Sequence, residues 1–224
     1  MSTDAILEDL RTRAAMGVAV TMGAPASDPL RADQVLVRDE WLSNPMVYRS
    51  WALGRLFGDV TIGAATFQGI GQIPQHETAL QWWRAALEER GIGGLDPTLT
   101  FFRQSPAQQQ EPNFIHTDRD LGDWAGVLYL TPNPPAGDGT TFWRHRVTGA
   151  VASAADGADL LAEWMTWRDR DQWDPWQTVF AQFNRLVLWP ASYFHSRALV
   201  ENYGEGETAR LIQVVSGRGV LRCQ

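Results

Sequence analysis

The chain has 224 residues, of which 44% are hydrophobic and 20% are charged, a composition typical of a folded globular protein. Its 19 basic residues are all arginines, and the 26 acidic residues bring the net charge to −7. The lack of lysine excludes a Schiff-base lysine and a P-loop lysine, and the lack of a basic cluster argues against a nucleic-acid partner. The single cysteine, Cys223, excludes a disulfide within the chain.

No apolar run reaches the roughly 18–20 residues that a membrane span requires. Residues 1–17 also lack the basic start and the apolar stretch of a signal peptide. We therefore expect a cytoplasmic protein that does not contact a membrane. The length fits one domain over residues 1–224, with a helical and strand-containing first part over 1–96.

The first part begins with a predicted helix near residues 3–16, where Ser2 or Thr3 can cap it, followed by a loop over 21–33. Residues 35–53 predict a short strand, a turn and a helix. Ser43 or Asn44 is the expected N-cap of that helix, with Pro45 in its first position.

A weakly alternating segment at residues 59–66 could form a further strand. Residues 76–91 predict a second well-defined helix, because apolar residues recur along one face. Its expected cap lies near Glu77 or Thr78, and Gly91 is the expected stop.

From residue 97 onward the chain consists of short segments rich in β-forming residues, separated by Gly, Pro, Asn and Asp. This pattern predicts an antiparallel sandwich or barrel over residues 97–217. With the helices ahead of it, the fold class is α+β, with the N-terminal helices bracing one sheet. An insert over about 151–180 is rich in tryptophan. We interpret it as a helical segment covering a sheet face, although a lid over a substrate site is the alternative.

The histidines point to a metal site. His116 and Asp118 are separated by one residue at the end of a β-like segment, so on a strand both side chains would lie on the same face. His195 follows in another β-like segment. Two histidines and one carboxylate on one face form the ligand set of non-haem iron oxygenases.

The order of the motifs strengthens this interpretation. After His116-Thr117-Asp118 come the strand Leu121–Thr131, the glycine turn Gly137-Asp138-Gly139-Thr140-Thr141-Phe142, His195, and Arg210 on the last strand. This series resembles the Fe(II)/2-oxoglutarate-dependent dioxygenases, in particular the prolyl-hydroxylase-like branch and its small phage and bacterial members. The resemblance covers about residues 97–217 and implies a double-stranded β-helix, or jelly roll. Gly137-Asp138-Gly139 departs from the two adjacent glycines common in that family.

The resemblance implies that His116, Asp118 and His195 bind Fe(II). It also implies that Arg210 and Tyr129 hold the distal carboxylate of 2-oxoglutarate, a task for which the planar guanidinium is well suited. Arg210 follows His195 by a longer interval than is usual, so a loop over Glu201–Glu207 must be accommodated, and Arg197 is the competing candidate.

Other polar and aromatic residues have weaker claims on the site. Arg103 and Asn113 could face the pocket. Gln213 follows Arg210 by three residues and should face the other way. Trp124 and Trp143 could wall the pocket, but core packing is the expected role of both.

The implied activity is oxidation by dioxygen of an unactivated C–H bond, coupled to decarboxylation of 2-oxoglutarate to succinate. In related halogenases a small residue replaces the carboxylate ligand, so Asp118 favours hydroxylation or a related oxidation. The expected substrate is a small molecule, an amino acid or a peptide. The alternatives are a protein-residue hydroxylase of the prolyl type, a non-catalytic jelly-roll binding module, and a cupin-like metalloenzyme. The last commonly needs three histidines and a glutamate.

Overall fold

A computed structural model describes residues 35–62, 65–109, 115–153, 170–199 and 201–221. The predicted N-terminal helix, Asn113 and most of the tryptophan-rich insert lie outside these residues. The described part contains two α-helices, α1 (Pro45–Leu53) and α2 (His76–Glu89). Neither helix is long and apolar enough to cross a membrane.

Ten strands make up the described sheets, and every pairing between them is antiparallel. In chain order they are β1 (Leu36–Arg38), β2 (Phe57–Ile62), β3 (Ala65–Gly71), β4 (Asp96–Ser105), β5 (Trp124–Tyr129), β6 (Gly139–His145), β7 (Trp173–Phe180), β8 (Leu186–Pro190), β9 (His195–Arg197) and β10 (Arg210–Arg218). A larger sheet has the order β1-β8-β5-β10-β4-β3-β2, and a smaller one has the order β7-β6-β9. The antiparallel prediction for the second half is confirmed, while closure into a double-stranded β-helix stays a prediction.

The larger sheet has an apolar core on each face. On one face Trp83 and Leu87 of α2 pack with sheet residues that include Phe102 and Leu211. On the other face Tyr129 and its neighbours pack against Phe142 and Val179 of the smaller sheet. The alternation of side chains along each strand produces this division. The second core, between the two sheets, is the one in which the candidate site lies.

The helix starts were predicted with mixed success. Asn44 is the N-cap of α1 and Pro45 begins the helix, as expected. The cap predicted near Glu77 or Thr78 is wrong, because α2 begins at His76 after Gln75 in a left-handed conformation. His76 is buried, and its Nε2 accepts a hydrogen bond from the Thr100 backbone N–H at 3.2 Å. The helix start at His76 itself agrees with the predicted range of 76–91.

One strand prediction and one helix prediction also need correction. The weak strand at 59–66 is instead a hairpin formed by β2 and β3. The described end of the tryptophan-rich insert is not helical beyond one 3-10 turn at Arg170–Gln172, since Trp173 and Trp176 belong to strand β7. Trp164 and Trp167 lie outside the described residues, so the lid interpretation stays a prediction.

Candidate active site

His116 and His195 face each other across a short antiparallel bridge. The backbone N–H of each donates to the carbonyl oxygen of the other, and both N···O distances are 2.9 Å. Because directly opposite residues of an antiparallel pair project to the same face, the two imidazoles lie together, with ring centroids 4.3 Å apart. The bridge joins two segments that are far apart in the sequence.

Asp118 completes the group, but not by the strand geometry that we expected. It lies outside any strand, just before a 3-10 turn at Arg119–Leu121, and its backbone N–H donates to the Ala191 carbonyl at 2.8 Å. Its carboxylate oxygens lie 3.3 Å from His195 Nε2 and 3.8 Å from His116 Nε2. One potential ligand atom from each residue falls within 4.8 Å of the others. The chain turn, rather than the two-residue strand period, brings the carboxylate to the histidines.

A second contact fixes the orientation of the His195 ring. Its Nδ1 lies 3.0 Å from the Tyr193 carbonyl oxygen. A carbonyl can only accept, so Nδ1 carries the proton and Nε2 faces Asp118. The ring packs on Trp189 with a centroid separation of 4.9 Å. This arrangement is typical of metal-binding histidines, whose remote nitrogen is held by a backbone carbonyl.

The electrostatic environment keeps Asp118 ionised. Burial is the largest influence on the pKa of Asp118 and raises it, but the positive charges that His195 and His116 carry when protonated, with the hydrogen bond from protonated His195, together outweigh burial. The pKa of Asp118 therefore lies below its usual range. An ionised carboxylate is the form that binds a divalent metal.

The three side chains differ in exposure. The side chain of His195 is 7% exposed and that of Asp118 is 17% exposed, whereas that of His116 is 34% exposed. The group is therefore closed on the side of His195 and accessible on the side of His116.

A polar cluster lies between the two sheets. It consists of Arg210, Tyr129, Thr140 and Asp138 and is called the Arg210 cluster. Tyr129 is opposite Ile212 in the sheet register, and Arg210 precedes Ile212 by two residues, so all three share one face. The Tyr129 hydroxyl lies 2.7 Å from Thr140 Oγ1. Burial raises the pKa of Tyr129 to about 12, so the phenol is neutral and can donate a hydrogen bond. The structure thus brings the two residues of the predicted carboxylate site together.

Strand β6 links this cluster to the three metal-binding candidates. Phe142 is opposite His195 in the register, and Thr140, which contacts Tyr129, precedes Phe142 by two residues on the same face. Two residues of a strand span about 7 Å. The two groups therefore lie at neighbouring positions along the same face of β6.

Asp138 also belongs to the Arg210 cluster, although the sequence did not identify it as a site residue. Arg210 Nε donates to both of its carboxylate oxygens, at 3.0 Å and 3.2 Å. Burial is the largest influence on the pKa of Arg210 and lowers it, but the charge and hydrogen bond of Asp138, together with Tyr129 and Tyr203, outweigh burial and raise the pKa. The available signal was the glycine turn itself, in which Asp138 interrupts the expected pair of glycines.

Arg197, the competing candidate, contacts the loop that follows its own strand. Its Nε donates to the Leu199 carbonyl at 2.6 Å, and its guanidinium also bonds Asn202. It thereby ties down the loop that precedes β10, which holds a 3-10 turn at Gly206–Thr208. The longer interval before Arg210 is accommodated by this loop.

Arg103 lies opposite Ile212 in the sheet register and therefore on the face of the larger sheet that packs against the smaller one. Gln213 faces the helices, as predicted, and accepts a hydrogen bond from the Tyr48 hydroxyl at 2.7 Å. Trp124 and Trp143 are buried in packing clusters, as expected.

No family model matches the chain, and no curated protein sequence matches it. Among solved structures it is similar to the non-heme alpha ketoglutarate dependent epimerase SnoN from nogalamycin biosynthesis, with a TM-score of 0.48 and 15% identity over 95% of this chain and 82% of SnoN. It is also similar to a Pseudomonas putida prolyl-4-hydroxylase, with a TM-score of 0.43 and 15% identity over 83% of this chain and 92% of that one. EctD from S. alaskensis, solved with bound Fe, has a TM-score of 0.47 and 13% identity over 89% of this chain and 81% of EctD.

SnoN has also been solved in complex with Fe3+ and alpha ketoglutarate.

Proposed function

We propose that this protein is a non-haem Fe(II)/2-oxoglutarate-dependent oxygenase that hydroxylates an unactivated C–H bond of a small molecule, an amino acid or a peptide. The proposal depends mainly on one observation: the potential ligand atoms of His116, Asp118 and His195 all lie within 4.8 Å of one another. It is supported by the Arg210 cluster about two strand residues away on the same interior face.

The donor set fits Fe(II). Two imidazole nitrogens and one carboxylate oxygen form the ligand set of oxygen-activating iron sites, and the Nδ1 contact to Tyr193 leaves His195 Nε2 as the ligand atom. His116, Asp118 and His195 would hold the metal. When bound, iron supplies the redox chemistry by which dioxygen oxidises a C–H bond as 2-oxoglutarate is decarboxylated to succinate and carbon dioxide.

The other residues of the site would bind and orient 2-oxoglutarate. Arg210 would pair with the distal carboxylate of 2-oxoglutarate, and the neutral Tyr129 hydroxyl would donate a hydrogen bond to it. Phe142, Ile212 and Trp189 belong to the apolar core around the site, which excludes bulk water from the reacting groups.

Charge and composition favour a small or peptidic substrate. The net charge of −7 and the absence of lysine disfavour a phosphate backbone, so we propose that nucleic acid is not a partner. A protein-residue hydroxylase of the prolyl type and a non-catalytic binding module remain the alternatives. Turnover of 2-oxoglutarate separates the module from either enzyme.

The turnover test uses the whole chain with Fe(II), 2-oxoglutarate and air, and detects succinate by NMR. We expect slow succinate formation even without the primary substrate, and faster formation when a substrate is found. Tyr129→Phe should raise KM for 2-oxoglutarate by about 10–100-fold with little change in kcat, because one hydrogen bond to a charged group is lost.

Tyr48→Phe is the matched control for that variant. Tyr48 is also a largely buried tyrosine with one hydrogen bond, but it bonds Gln213 on the opposite face of the sheet. Its KM for 2-oxoglutarate should equal that of the wild type. Iron-loaded wild-type protein that forms no succinate across a broad substrate screen would favour the binding module.

A further inference from the structure

Asp138 is held in place independently of Arg210. Its Oδ1 accepts a hydrogen bond from the Gly139 backbone N–H at 2.8 Å, and its Oδ2 accepts one from the Tyr203 hydroxyl at 2.7 Å. Gly139 has a φ of 153°, and a Cβ there would collide with the Val179 carbonyl, so the turn requires glycine at this position. The side chain of Asp138 is 1% exposed. The carboxylate is a fixed, buried anion.

Asp138 occupies only one side of the Arg210 guanidinium. Within the described part of the chain, the hydrogen bonds made to this guanidinium run from Nε to the two Asp138 oxygens. A guanidinium has five N–H donors, and four of them are on the terminal nitrogens. Those four donors are therefore the ones that could bind the carboxylate of a ligand.

The charge balance of the cluster follows from this pairing. One arginine and one aspartate, both buried, make a neutral pair before any cosubstrate binds. The distal carboxylate of 2-oxoglutarate would be a second anion on the same guanidinium. Two like charges close together in a poorly solvated interior repel each other more strongly than they would in water.

We propose that Asp138 sets the affinity and selectivity of the site for the distal end of the 2-oxo acid, acting as an internal counter-ion that weakens binding of a second carboxylate. This inference rests on the proposed function and adds a residue role to it. Asp138 touches Arg210 rather than the cosubstrate, so it acts through Arg210. Because of Asp138, the site binds the dianion 2-oxoglutarate less tightly. It also discriminates less strongly against 2-oxo acids whose distal end is uncharged.

Asp138→Asn tests the proposal because asparagine keeps the shape and most of the hydrogen bonds. Its amide oxygen can accept from Gly139 and Arg210, and its amide nitrogen can donate to the Tyr203 oxygen. Removing the charge should tighten binding of 2-oxoglutarate about tenfold, which corresponds to about 1.4 kcal/mol. The Kd is measured by anaerobic calorimetry on the Fe(II)-loaded full chain. Asp123→Asn, which changes an exposed carboxylate, should leave this Kd unchanged.

A measurement without metal examines binding of the distal carboxylate alone. Glutarate has the distal carboxylate but lacks the keto group that chelates a metal, so its binding reports on the Arg210 cluster. Glutarate should raise the melting temperature of metal-free Asp138→Asn more than that of metal-free wild type. A loss of packing or of orientation would not produce tighter binding of an anion.

A comparison in the wild type does not depend on the folding of any variant. The distal amide analogue 2-oxoglutaramate should bind the wild type within about tenfold of 2-oxoglutarate, because Arg210 is already neutralised. Discrimination by more than about 100-fold would overturn the proposal, as would unchanged or weaker 2-oxoglutarate binding in Asp138→Asn. If neither protein binds 2-oxoglutarate at all, the proposed function fails and this inference falls with it. If the wild type and Asp138→Asn bind 2-oxoglutarate equally, the proposed role of Asp138 is wrong and the proposed function is unaffected.

Discussion

Replacing Asp118 with alanine is expected to weaken Fe(II) binding by more than ~100-fold and to abolish succinate formation, since outer partners of metal ligands alone are worth 10–100-fold. Asp118 contributes the one carboxylate of the group, and both of its oxygens lie within 4 Å of a histidine Nε2. Without it, two neutral imidazoles remain to bind a divalent cation. Equilibrium dialysis against Fe(II) under anaerobic conditions measures the loss directly.

Asp120→Ala is the matched control for this variant. Asp120 lies two residues further along the chain, is exposed, and does not belong to the group of three. Its iron affinity should stay close to that of the wild type. If Asp118→Ala bound Fe(II) as tightly as the wild type does, the three residues would not be the metal site.

Arg210→Ala should lower the free energy of unfolding by about 3–5 kcal/mol, because it leaves the buried Asp138 without its counter-ion. The side chains of Arg210 and Asp138 are 6% and 1% exposed, so water cannot replace the lost partner. Urea denaturation measures this cost. The variant should also need far more 2-oxoglutarate for turnover.

The double variant Arg210→Ala/Asp138→Ala separates the ion pair from the packing. We expect it to be less destabilised than the sum of the two single variants, since removing both charges leaves no unpaired ion. Arg218→Ala, at the exposed end of the same strand, should change stability by no more than about 0.5 kcal/mol. Strict additivity of the two single effects would contradict a coupled pair.

The sequence made the candidate metal site predictable because its chemistry depends on rare residue types in a set order. Four histidines are present in the chain, and two of them stand with Asp118 in the order that the family shows. The convergence of His116, Asp118 and His195 was predicted, but its cause was not. Asp118 reaches the site through a turn and a backbone contact to Ala191, neither of which has a periodic signature.

The contacts that sequence reasoning missed are tertiary. Arg210 and Asp138 are 72 residues apart, and their pairing depends on how a turn of the smaller sheet meets the first residue of the last strand. The N-cap of α2 was also missed, because Gln75 occupies it in a left-handed conformation without a side-chain hydrogen bond, which local capping preferences do not reveal. Strand alternation did predict that Gln213 faces away from Arg210, because that property is local to one strand.

Anaerobic titration of the purified protein with Fe(II) and then 2-oxoglutarate shows whether the two bind together at His116, Asp118 and His195. We expect a visible metal-to-ligand charge-transfer band that grows with 2-oxoglutarate, is absent in Asp118→Ala, and needs much more cosubstrate in Arg210→Ala. A wild-type protein that binds iron at His116, Asp118 and His195 yet gives no band at any 2-oxoglutarate concentration would contradict it.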